Sequence, residues 1–157
     1  MFEEKQNLKI VWVVVIIVLI IMAVLGFGAI STENEKGEEF PVITVFFNIG
    51  LMVFLFLLSY NFQIKLTSKK LFVQFGVGIL KKSFDVNEID KSSIKIVRPS
   101  KWYGIGWRYN FDGDMIFNAK YGKAVKFQLK NQSKKYYVGA VDYKRLEQEL
   151  LRLIPEN

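Results

Sequence analysis

The sequence predicts a membrane α + β protein: a two-helix transmembrane hairpin, then an antiparallel β-rich domain that ends in a capping α-helix. Three observations predict it. Two long apolar runs, Ile10–Ile30 and Pro41–Tyr60, carry no charged residue. From Asn61 onward apolar and polar residues alternate with the period of a half-buried strand. From Asp142 the period becomes helical.

Composition narrows the chemistry first. The chain has 157 residues, enough for one domain and a small appendage. It contains no Cys and no His. Disulfide frameworks, Cys/His zinc sites, histidine bases and thiolate nucleophiles are therefore excluded. No cofactor is expected.

The first run, Ile10–Ile30, holds 21 residues, and as a helix it would rise about 31 Å against a hydrocarbon core of about 30 Å. That is too long for the core of a cleaved signal peptide, which is about 7–15 residues. In the second run Pro41 stands where a helix tolerates proline, in the first turn. Thr44 and Asn48 are four apart and share a helical face, and Gly26 and Gly28 would allow close approach of the partner helix. No ionisable residue lies within either run, which argues against a transport path. Between them, residues 31–40 form a short loop with four Glu and one Lys. Lys5 and Lys9 precede the first run, and Lys65, Lys69 and Lys70 follow the second. The positive-inside bias then predicts a multi-pass protein of the cell membrane, both termini cytoplasmic and the acidic loop outside.

Residues 61–157 are expected to form the second unit. Phe62, Ile64 and Leu66 alternate with Gln63, Lys65 and Thr67; Leu71, Val73 and Phe75 alternate with Phe72 and Gln74. Ile94 and Ile96 flank Lys95, while Val125, Phe127 and Leu129 alternate with Lys126, Gln128 and Lys130. Turn residues separate about seven such strands. Asp142 is a good N-cap, and Tyr143, Leu146, Leu150 and Leu153 or Ile154 form one apolar face that must pack on the strands.

Three short segments carry a resemblance. Phe84-Asp85-Val86-Asn87-Glu88-Ile89 reads as a strand end with an acidic-apolar turn. Tyr103-Gly104-Ile105-Gly106-Trp107-Arg108 is an aromatic-glycine loop ending in Arg, and Val138-Gly139-Ala140-Val141-Asp142-Tyr143 is a glycine turn leading into the last helix. With two apolar runs ahead of them, these segments resemble the bacterial pleckstrin-homology-like membrane proteins. Ile105 separates glycines that are often paired in that family, and Tyr143 stands where proline often follows the capping Asp. The resemblance implies a pleckstrin-homology-like β-barrel closed by the terminal helix. It implies no general activity.

Signs of catalysis are weak. Asp112-Gly113-Asp114 reads as a tight turn rather than a carboxylate pair. Gly76, Gly78, Gly104 and Gly106 match no phosphate-binding fingerprint. Asp85, Glu88 and Asp90 lack the ligand spacing of a calcium loop. The candidate interaction loop is Trp102, Tyr103, Gly104, Gly106, Trp107 and Arg108. Its aromatics can plug the fold, dip into a membrane interface or form a protein-binding patch.

Charge supplies the other lead. From Asn61 the chain has 19 Lys and Arg against 9 Asp and Glu, a balance of +10. Lys69, Lys70, Lys81 and Lys82 are candidate contacts with an anionic membrane. Lys120, Lys123, Lys126, Lys130, Lys134 and Lys135 are candidates for an exposed face that attracts an acidic partner. Charge alone does not make a nucleic-acid site, and no recognition element for one is present. The sequence thus predicts a membrane-anchored interaction or regulatory module without catalysis. Recognition of anionic lipid headgroups is the alternative, and a membrane enzyme ranks last.

Overall fold

The computed structural model describes residues 1–7, 13–21 and 42–155. The acidic loop 31–40, Gly26, Gly28, Lys9 and Pro41 lie outside the described residues. The sequence folds as two sheets with a terminal helix. A four-stranded sheet has the order β1 (Phe2–Asn7), β2 (Asn61–Leu66), β3 (Lys70–Phe75), β4 (Leu80–Asp85). Its pairings are all antiparallel. A five-stranded sheet contains β5 (Lys95–Val97), β6 (Gly106–Tyr109), β7 (Met115–Asn118), β8 (Ala124–Gln128) and β9 (Lys135–Gly139). Its order is β5-β8-β9-β7-β6. Helix α1 is Val42–Ser59 and helix α2 is Tyr143–Leu153.

Several expectations are corrected. Among the described residues no helix is long and apolar enough to cross a membrane. Residues 13–21 are helical, and α1 ends at Ser59 because the chain turns at Tyr60 and enters β2 at Asn61. The two-span hairpin, the integral membrane partnership and the multi-pass location with both termini cytoplasmic therefore lose their basis. The closed barrel is corrected as well: neither sheet closes on itself. Nor is the β-domain purely antiparallel, because β9 runs parallel to β7 and lies between β7 and β8.

The N-terminal strand is an element that periodicity did not reveal. Phe2 through Asn7 pair antiparallel with Leu66 through Asn61, so residues before the first apolar run complete a sheet begun after the second. Two polar side chains of β1 secure the chain ahead of α2. The Glu4 carboxylate accepts the N–H groups of Val141 and Asp142 at 2.8 and 2.9 Å. Gln6 Nε2 donates to the Gly139 carbonyl at 3.0 Å.

One apolar core lies between the sheets. From the first sheet come Phe62, Ile64, Leu66, Leu71, Val73, Phe75 and Phe84; Phe117, Val125, Phe127, Tyr136 and Val138 come from the second. Phe84 sits at the meeting point. Its ring centroid is 4.8 Å from Tyr136, 5.1 Å from Phe127 and 6.0 Å from Phe117, each edge-on, the geometry aromatic quadrupoles favour. Asp142 caps α2 by accepting the Arg145 N–H at 3.2 Å. Leu146 and Leu150 are fully buried, a contribution of about 1.5–3 kcal/mol each.

Candidate interaction site

The five-stranded sheet places the aromatic-glycine loop. Strands β5 and β6 are its two edges, so the connection from Arg98 to Ile105 crosses the whole end of the sheet. It does so as a hydrogen-bonded strap. Ser100 accepts the Trp102 N–H at 3.3 Å and starts a short 3-10 turn, Lys101–Tyr103. The Asn118 side chain then acts like a strand. Its Nδ2 donates to the Gly104 carbonyl at 3.1 Å, and its Oδ1 accepts the Gly106 N–H at 3.0 Å. Gly104 has a φ of +67°, and a Cβ there would collide with the Arg108 guanidinium.

The loop divides by function. Trp107 is partly buried, packs against Phe117 at 5.3 Å and, with Ile105, adjoins the core. These two residues plug the fold. Trp102 does not, being 95% exposed. The Tyr103 side chain lies outside the described residues. Arg108 is half-buried and folds back over Gly104 and Gly106, its Nε shielded from solvent and without a hydrogen-bond partner.

At the far end of β6 the Asp-Gly-Asp segment forms a turn around Asn110. Asn110 Oδ1 accepts the N–H groups of Asp112 and Asp114 at 3.0 and 2.8 Å, and Gly113 adopts a φ of +78°. Phe111 at its tip is 98% exposed. Asp114 is buried, and its carboxylate holds β9 by accepting the Lys135 N–H at 3.0 Å and the Tyr137 hydroxyl at 3.3 Å. Its oxygens are thus committed to structure. Nearby, Lys134 Nζ lies 4.3 Å from the Tyr109 ring centroid. Burial, and next the neighbouring Tyr109, push the Tyr136 hydroxyl above its ordinary pKa.

The remaining candidates are dispersed. Lys70 and Lys81 project from one face of the first sheet, Lys82 follows Lys81 on the opposite side of β4, and Lys69 is in the β2–β3 turn. Lys123 sits 5.0 Å over the Tyr143 ring, and Lys130 lines a depression of about 190 Å³ with Asp90, Lys91, Ser92, Ile154 and Pro155. Asp90 in that depression caps a 3-10 turn through Ser92 N. Asp85 likewise caps the turn Val86–Glu88 through Asn87 N, so the half calcium loop is two capping aspartates. An apolar groove of about 170 Å³ between residues 13–21 and α1 is lined by Val15, Leu19, Ile49, Met52, Val53 and Phe56. Among the described residues no group of three carboxylates is placed to hold a metal ion.

Sequence reasoning missed Phe111 and the position of β6 at an edge of its sheet. An exposed Phe inside Asn-Phe-Asp-Gly-Asp, where a turn needs only polar residues and glycine, was the available signal. No protein-family model matches the chain, and neither does any curated protein or solved structure.

Proposed function

We propose that the chain is a non-catalytic interaction module that takes up an extended segment of a partner polypeptide alongside β6. One observation carries this reading. The edge strand Gly106–Tyr109 is bracketed by the two large aromatics that are most exposed among the described residues, Trp102 at 95% and Phe111 at 98%. An edge strand offers a row of unpaired N–H and C=O groups, and adding a partner strand satisfies them. Four residues span about 13 Å, a length that a short extended segment matches. Trp102 and Phe111 would then cover its two ends, where rigid aromatics supply contact area at little entropic cost. Tyr109, also exposed, lies between them.

Two further points support a binding role. The Asp112-Gly113-Asp114 segment serves as a turn, and the Asp114 carboxylate is taken up by the Lys135 N–H and the Tyr137 hydroxyl. The pleckstrin-homology-like resemblance carries no activity either. The test is site-specific photocrosslinking of the full chain in its native cell. A photoreactive phenylalanine at positions 102 and 111 is expected to give the same discrete adduct, and one at Lys144 on α2 none. Equal labelling from all three positions, or no adduct at 102 and 111, overturns the reading.

A further inference from the structure

The sheet register builds a second feature, which shares only Arg108 with the β6 edge strand. On β8 and β9 the inward residues Val125, Phe127, Tyr136 and Val138 are buried, so Lys126, Lys135 and Tyr137 face outward. Lys95 of β5 stands directly opposite Lys126, and Lys126 opposite Tyr137. Tyr137 is level with Ile116 of β7, and Ile116 with Arg108 of β6. One row therefore crosses all five strands, about 19 Å at about 4.8 Å per strand. Its ends are cationic. Its middle is a phenol, held by Asp114, beside a buried isoleucine.

The lysine end breaks a rule of sheet construction. Like charges directly opposite on neighbouring strands repel. Among the described residues neither Lys95, Lys126 nor Arg108 is ion-paired to a carboxylate. Local rules are broken without compensation mainly where function requires it.

We propose that this outer face is a second recognition surface, for an acidic polypeptide segment laid across the strands. Carboxylates of the segment meet Lys95 and Lys126 at one end and Arg108 at the other, and an apolar or aromatic residue lies over Tyr137. Charge complementarity selects an acidic occupant, since each carboxylate removes a repulsion the free fold must bear. The spacing selects a polypeptide over a nucleic acid. A phosphate backbone is tracked by cations at regular intervals with several stacking rings; in this row the cations are toward the ends and a single ring lies between.

The probe is a fluorescent oligo-glutamate peptide containing one central tyrosine, titrated against the full chain at low salt. Replacing Lys95→Gln together with Lys126→Gln is expected to weaken binding about tenfold, and Lys81→Gln with Lys82→Gln to change it less than about twofold. Relief of the repulsion raises the Tm of the first variant, so lost binding is not lost folding. The assignment is overturned by equal weakening in both variants or by no measurable binding to the wild type. Tighter binding of an oligothymidylate than of the peptide overturns it too. Because the β6 edge is untouched in the double variant, its photocrosslinks at 102 and 111 report on that site separately.

Discussion

The outer faces of the two sheets both carry lysines but treat them differently. On the four-stranded sheet, Lys65 is ion-paired with Glu3 across β1 and β2 at 3.7 Å, and Lys70 stands opposite Asp85. Gln74 Nε2 donates to Gln63 Oε1 at 2.8 Å on the same face. Unlike or mutually satisfying groups are matched across the strands. On the five-stranded sheet, Lys95 opposes Lys126, and Arg108 has no carboxylate partner among the described residues. The same fold thus contains one face arranged for stability and one that carries unfavourable charge. Charged-residue composition cannot tell these faces apart; only register can.

The sharpest way to break the contrast is to cut the joint between the sheets. Phe84 is the ring of the first sheet that touches three rings of the second. Replacing it with alanine is expected to cost about 3–5 kcal/mol, measured by denaturant unfolding. Both sheets should melt in a single transition. Two separated transitions would show that the faces belong to independently stable units.

A smaller effect confined to the second sheet is expected at Gly139. A Cβ there would lie 2.8 Å from Asn118 Cβ and 3.3 Å from its Cα. Gly139→Ala therefore pushes β9 away from the residue that clamps the aromatic loop, at a cost of about 1–3 kcal/mol. Amide exchange should quicken at Gly106, whose N–H Asn118 holds, and remain slow in β2 and β3. Uniform loss of protection would count against the local account.

How much of this was legible depends on range. Helix α2 was readable because its cap, Asp142, and its stripe, Leu146 and Leu150, lie within a few turns of one another. Strands β2, β3 and β8 were readable from alternation alone. Strand β1 was not: FEEKQN buries Phe2 and Gln6, and the partners of Glu4 and Gln6 lie more than 130 residues away. The same limit hid the site. Lys126 could be placed on an outward face, but that Lys95 stands opposite it follows from a pairing across thirty-one positions. The apolar runs misled differently. Their length suggested two spans, whereas among the described residues no helix is long and apolar enough to cross a membrane.

The charge contrast itself has a direct test. Lys126→Gln is expected to stabilise the protein by about 0.2–1 kcal/mol, because it removes a like-charge cross-strand pair. Lys65→Gln should do the reverse, costing up to about 1 kcal/mol, since it removes an exposed but favourable pair. Both effects should shrink as salt is added. Equal signs for the two substitutions would remove the distinction between the faces.

The smallest effect is a pH dependence carried by the second sheet. Tyr136 is buried on β9, and burial, then Tyr109, raise its hydroxyl pKa above the ordinary 10.0. A raised pKa means the fold favours the neutral phenol. Its contribution is complete below the unfolded value of about 10 and is lost as pH rises through the folded value. Stability should therefore fall on the alkaline side, beginning near pH 10. In Tyr136→Phe the hydroxyl that donates to Gln132 at 3.3 Å is gone. That bond is long, so the variant should lie within about 1 kcal/mol of wild type at neutral pH and show a shallower alkaline decline. Unfolding midpoints measured from about pH 8 to about pH 11 decide it. An unchanged alkaline slope would show that Tyr136 does not carry the loss.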